Sequence, residues 1–111
     1  DASFNILHVC RSHNMLKSLA DYPNVHALNW DDRDDTNASL QEARGMTSRT
    51  LMGGVSRHSL TRSQPADVAA NEVHDAIAQA GGRGLIIGPG CAISPRCPEA
   101  TLRAARQAAE G

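Results

Sequence analysis

The sequence predicts an α/β protein built on a parallel sheet, and two observations carry that prediction. Short apolar runs of strand length alternate with stretches whose apolar residues recur at helical spacing, four times over. The last of these runs, in GLIIGPGCAISPRCPE at residues 84–99, stops at a Gly-Pro-Gly turn and delivers Cys91 just past it. Strands alternating with helices require right-handed crossovers, and chemistry in such folds collects at the carboxyl ends of the strands.

The first unit opens with FNILHV at residues 4–9, a β-rich run ending at Cys10. The polar Arg11-Ser12-His13-Asn14 then reads as a strand-to-helix loop, with Asn14 or Ser12 as N-cap, and Met15, Leu16, Leu19 and Ala20 repeat at helical spacing up to Asp21. After the turn at Tyr22-Pro23-Asn24, residues 25–30 make a second strand, followed by the acidic run Asp31, Asp32, Asp34, Asp35 as a solvated loop. Residues 39–44 read as a short helix ending at Gly45. TLMGGV at residues 50–55 is a third strand whose two glycines weaken it unless the backbone passes close to something, so the pair hints at a site. Residues 65–80 give the clearest helix, with Ser63 or Gln64 near its start, Val68, Val73 and Ile77 on one side and Gly81-Gly82 at its end. Leu85, Ile86 and Ile87 form the fourth strand, expected to be buried on both faces and halted by Gly88-Pro89-Gly90. Pro98 at a first helical position and Glu99 near the positive end of the dipole open the closing helix, residues 98–109, with Leu102, Ala105 and Ala109 on one side. Four β-α units are half of an eight-fold β/α barrel, with an open doubly wound sheet as the alternative. Both place His8, Cys10, Gly53-Gly54 and Cys91 at one carboxyl edge.

With 111 residues and 41% hydrophobic content the chain suffices for one small domain, residues 1–111. A net charge of −1 offers no basic field for nucleic acid or anionic lipid, and no apolar run is long enough to cross a bilayer. Three cysteines are too few for a disulfide framework and fit free or metal-bound thiols in a reducing cytoplasm. The start at Asp1, without Met and close to a strand, suggests a piece of something longer.

His8-Val9-Cys10 is the informative triplet, because residues two apart on a strand aim an imidazole and a thiol at one spot. Cys91 could add a third ligand, giving the two thiolates and one imidazole of a catalytic zinc site with an open fourth position. The same residues also fit a buried thiol beside a hydrogen-bonded core histidine. The acidic run lacks the glycine and terminal glutamate of a calcium loop and is assigned no metal. Cys97 reads as a cap-position residue, His26, His58 and His74 as surface or core residues, and Trp30 as a pocket wall or a packing residue.

LHVC with its polar loop, TLMGGVS, PADV at a helix start and above all GLIIGPGCAISPRCPEATL resemble the C-terminal part of the uroporphyrinogen decarboxylase superfamily along nearly the whole chain. The resemblance implies the C-terminal half of a TIM (β/α)8 barrel. Within that superfamily, decarboxylases place Gly-His-Gly after the last strand, whereas corinoid-dependent methyltransferases acting on a small thiol such as coenzyme M carry His-x-Cys and a distant Cys in a Pro-Gly-Cys turn. This chain is similar to the second pattern, so His8, Cys10 and Cys91 are implied to be zinc ligands and a corinoid on a partner the methyl donor. The zinc in that branch binds the acceptor thiol as a thiolate, which attacks the cobalt-borne methyl group. Gly53-Gly54 replaces the usual Gly-Asn, and Arg11 and His13 stand where relatives have small residues. The decarboxylase's substrate arginines and pyrrole-binding aspartate belong to the family's N-terminal part, so the chain alone is expected to be inactive and to need that missing half or a second copy. The alternatives are a tetrapyrrole decarboxylase relative with a structural Cys91, and a non-catalytic half-barrel that self-associates.

Overall fold

The computed structural model describes residues 3–111; the expectation attached to the start at Asp1 lies outside them. The elements run β1 (Ile6–Val9), α1 (Leu16–Leu19), β2 (Ala27–Trp30), α2 (Leu40–Met46), β3 (Thr50–Val55), α3 (Ala66–Ala80), β4 (Leu85–Pro89) and α4 (Glu99–Glu110). The four strands form one parallel sheet in the order β1-β2-β3-β4. A doubly wound sheet reverses its strand order and carries helices on both faces. Here the order never reverses, and Leu28, Trp30 and Leu51 pack with Leu16 of α1, Leu40 and Ala43 of α2 and Ala76 of α3. Four consecutive β-α units therefore form an arc of a β/α barrel.

Local chemistry accounts for several helix boundaries. Ser39 and Glu42 form a reciprocal capping box that starts α2, with the Ser39 hydroxyl accepting from the Glu42 amide and the Glu42 carboxylate accepting from the Ser39 amide. Gly81 ends α3 in the left-handed conformation at φ 73°. The first helix is only one turn, because its N-cap Met15 offers no side-chain acceptor and Asn14 Oδ1 reaches only the Leu16 amide at 3.3 Å. Pro65 and Pro98 are N-caps rather than first helical residues. On α4 it is Thr101 and Ala108 that are buried, while Leu102 is 42% exposed.

Two expectations about β4 are corrected. Pairing continues through Gly54↔Gly88 and Val55↔Pro89, because β4 is an edge strand with a neighbour on one side only and can tolerate a proline there. Nor is the strand buried on both faces: Ile86 is 38% exposed, since all the helices lie on the other face. Ile6 of the opposite edge strand is likewise exposed.

The glycine pair of β3 has a packing explanation. A Cβ on Gly54, at φ 102°, would stand 2.6 Å from Ala76 Cβ of α3, and one on Gly53 would stand 2.5 Å from Asp32 Oδ1. Asp32 is thereby drawn out of the supposedly solvated loop. It is buried, and its Oδ1 accepts from the Gly54 amide at 2.8 Å. Arg33 beside it donates to the Gly54 and Glu72 carbonyls and to Asp75, bolting the β2–α2 loop onto β3 and α3.

Candidate metal centre

His8 and Cys10 leave the end of β1 and Cys91 follows β4, at opposite edges of the sheet. A flat four-stranded sheet would hold those edges about 14 Å apart. Instead, the Cys10 and Cys91 sulfurs are 4.0 Å apart, and one donor atom from each of His8, Cys10 and Cys91 lies within 4.8 Å of the others. Curvature closes the gap. The turn after β4 lies against the end of β2, where a Cβ on Gly90 would come within 2.9 Å of the Trp30 carbonyl oxygen and closer still to Asp31 Cα.

The loop after Cys10 is held from outside itself. Arg11 and His13 have φ of 72° and 50°, a conformation that costs a bulky residue about 1 kcal/mol or more. Asn37 donates from Nδ2 to the carbonyls of Arg11 and Asp31, both at 3.0 Å, and accepts the Asn14 amide at 2.9 Å; Thr36 Oγ1 accepts the His13 amide at 2.7 Å. These bonds hold the strained loop in place.

The donor set fits a zinc ion. Tetrahedral bonds of about 2.3 Å to sulfur and about 2.0 Å to nitrogen require sulfurs about 3.8 Å apart and sulfur–nitrogen distances near 3.5 Å. The sulfur separation is within a few tenths of that value, while the three donors together spread up to 4.8 Å, so the His8 imidazole must draw in by about 1 Å to share the ion. His8 and Cys10 are exposed and Cys91 is half-buried, so the edge where they meet is open to a fourth ligand.

The other sequence candidates fall away from this centre. Cys97 is half-buried among Val55, Leu60, Ala69 and Val73. Trp30 is fully buried and donates from Nε1 to the Ala38 carbonyl at 2.7 Å, so it packs rather than walling the centre. His26 stacks on Phe4 and accepts the Asn5 amide. Sequence reasoning passed over Asn29, a polar residue in the otherwise apolar β2. It is buried, lies in register with His8, and hydrogen-bonds to the His8 ring at 2.7 Å. Asp32, read from the sequence as part of a solvated loop, is instead buried, and that burial outweighs the Gly54 amide and the Arg33 charge and raises the carboxyl pKa above its ordinary value.

A family model described as uroporphyrinogen decarboxylase (URO-D) matches residues 2–111. Among solved structures, a methyltransferase from Methanosarcina mazei superposes with a TM-score of 0.80 at 24% sequence identity, over 97% of this chain and 31% of that one. The present chain thus spans about a third of that neighbour's length, and at this identity the likeness speaks for the fold. No curated protein matches the sequence. Among the described residues, no helix is long and apolar enough to cross a membrane.

Proposed function

This chain belongs to the uroporphyrinogen decarboxylase family, and we propose that it is the part of a methyltransferase-type member that holds a catalytic zinc ion and activates a small thiol for methylation. The observation that carries the reading is the convergence of His8, Cys10 and Cys91, from opposite sheet edges, within 4.8 Å. His8, Cys10 and Cys91 would hold a zinc ion, which when bound would supply the Lewis acidity that keeps an acceptor thiol deprotonated near neutral pH. Asn37 and Thr36 fix the loop that follows Cys10, and the Gly90 turn seats Cys91. The tetrapyrrole decarboxylase reading gives the two thiols no common task. In the methyltransferase reading the methyl donor is a corinoid on a partner protein, and the compartment is the reducing cytoplasm that thiolate ligands favour.

The remaining barrel wall is proposed to come from another part of the parent polypeptide or from a second copy. Barrel active sites are assembled from loops on many strands, and misplacing reactants by about 1 Å already costs roughly a hundredfold in rate. The test is to assay the chain with a methylated corinoid and a small thiol, alone and mixed with a polypeptide carrying the missing strands. Methylation on mixing only is expected if the wall belongs to the parent polypeptide, and methylation by the chain alone would assign the wall to a second copy; in both cases it is expected to vanish with Cys10→Ser. Decarboxylation of uroporphyrinogen by the mixture, without thiol methylation, would replace this reading with the decarboxylase one.

A further inference from the structure

We infer that Asn29 is a positioning residue that fixes which nitrogen of His8 faces the metal and, through the same side chain, sets the approach of Cys91. The inference rests on the metal-centre reading and deepens it.

The hydrogen-bond roles leave one consistent arrangement. One polar atom of the Asn29 amide lies 2.9 Å from the Met52 carbonyl oxygen and 3.1 Å from the Pro89 carbonyl oxygen. Main-chain carbonyls only accept, so that atom is the donating Nδ2. The Oδ1 atom then faces His8 Nδ1 at 2.7 Å, and an amide oxygen also only accepts. The proton must therefore sit on His8 Nδ1. Neutral His8 is held as the Nδ1–H tautomer, with the Nε2 lone pair bare and free to bind zinc, the arrangement in which an outer hydrogen bond orients a metal-bound imidazole.

The same amide reaches across the sheet. From β2 it grips the His8 ring on β1, the main chain of β3 at Met52 and that of β4 at Pro89, two residues before Cys91. One buried side chain thus couples the imidazole ligand to the strand end that delivers the distant thiolate. Burial removes competing water, which strengthens each bond and makes its loss more costly.

Nitrogen-15 NMR of the histidine ring, through its two-bond couplings, reads the tautomer directly in the metal-free protein at mildly alkaline pH. Wild-type protein is expected to show Nδ1–H with a bare Nε2. Asn29→Leu, similar in size but without polar atoms, is expected to shift His8 toward Nε2–H and to weaken zinc binding about 10- to 100-fold in chelator competition. Asn29→Asp keeps an acceptor for His8 but loses the donors to Met52 and Pro89, so it is expected to retain Nδ1–H. The wild-type spectrum decides the tautomer even where a variant does not fold. Zinc binding with His8 as Nε2–H would overturn this inference alone, and so would an Asn29→Leu protein with unchanged tautomer and affinity. Nδ1–H in a wild-type protein that binds no zinc would overturn the role of Asn29 by removing the metal centre, and would identify that reading as the part that failed.

Discussion

Replacing Gly90 by alanine should open the metal centre from one step away. Gly90 directly precedes Cys91, and a Cβ there would meet the Trp30 carbonyl oxygen at 2.9 Å and Asp31 Cβ at 3.0 Å, with Asp31 Cα closer still. Carbon atoms pack comfortably at about 3.5–4.0 Å, so the turn must move outward by about 1 Å. Those obstacles are largely backbone and have little room to yield. Cys91 would move with its neighbour, stretching the 4.0 Å sulfur separation to about 5 Å, well beyond the roughly 3.8 Å a shared tetrahedral ion requires. Overpacking of this kind costs about 1–3 kcal/mol of stability, and displacing a ligand should weaken zinc binding at least as much as losing an orienting contact, about 10- to 100-fold. Chelator competition reads the affinity and thermal denaturation the stability. The control is Gly45→Ala in α2, where an added Cβ meets nothing within 4 Å. It should leave zinc binding unchanged and stabilise the helix by about 0.5–1 kcal/mol. A Gly90→Ala protein that binds zinc as tightly as wild type would refute the account of how curvature builds the centre.

Arg33→Ala removes donors to two carbonyls and to Asp75 and strips the buried Asp32 of its nearby cation, so chemical denaturation should show a loss of about 2–3 kcal/mol; a loss below about 0.5 kcal/mol would contradict the clamp. Burial raises the Asp32 pKa, so the folded state keeps that proton longer than the unfolded chain and stability falls as pH rises through the folded value. Asp32→Asn should therefore gain stability relative to wild type from acidic to neutral pH, and a gap that stays constant in thermal melts would refute it. Asp75, lowered chiefly by its hydrogen bond from Arg33, has the opposite sign: its contribution is present above the ordinary carboxylate range and is lost as pH falls through its folded value, a loss that Asp75→Asn should abolish in acid titrations followed by circular dichroism. The edge strands β1 and β4 and the exposed Phe4, Ile6 and Ile86 should drive self-association, so light scattering at micromolar concentration should show a dimer or larger species and a folded monomer would contradict it.

Some of this architecture can be read from residues alone. TLMGGV is β3 from end to end, and α3 ends at the predicted glycine, because period, composition and stop signal agree at those places. His8 and Cys10 could be paired because two residues on one strand share a face. The shape of the acidic loop could not be read, since the space that buries Asp32 is made by missing side chains on β3, twenty residues away. Nor could the approach of Cys91 to Cys10, which depends on how far the sheet curls. Asn29 left a signal, a lone amide in an apolar strand, but its partners lie on three other strands and emerge only from register.

X-ray absorption at the zinc edge, on protein purified under reducing conditions and with its metal content quantified, tests the metal centre most directly. The account predicts about one zinc per chain, with two sulfur neighbours at about 2.3 Å and lighter nitrogen or oxygen atoms at about 2.0 Å filling the other positions. It also predicts one sulfur fewer in Cys91→Ser. A protein without zinc, or one whose sulfur count is the same with and without Cys91, would contradict it.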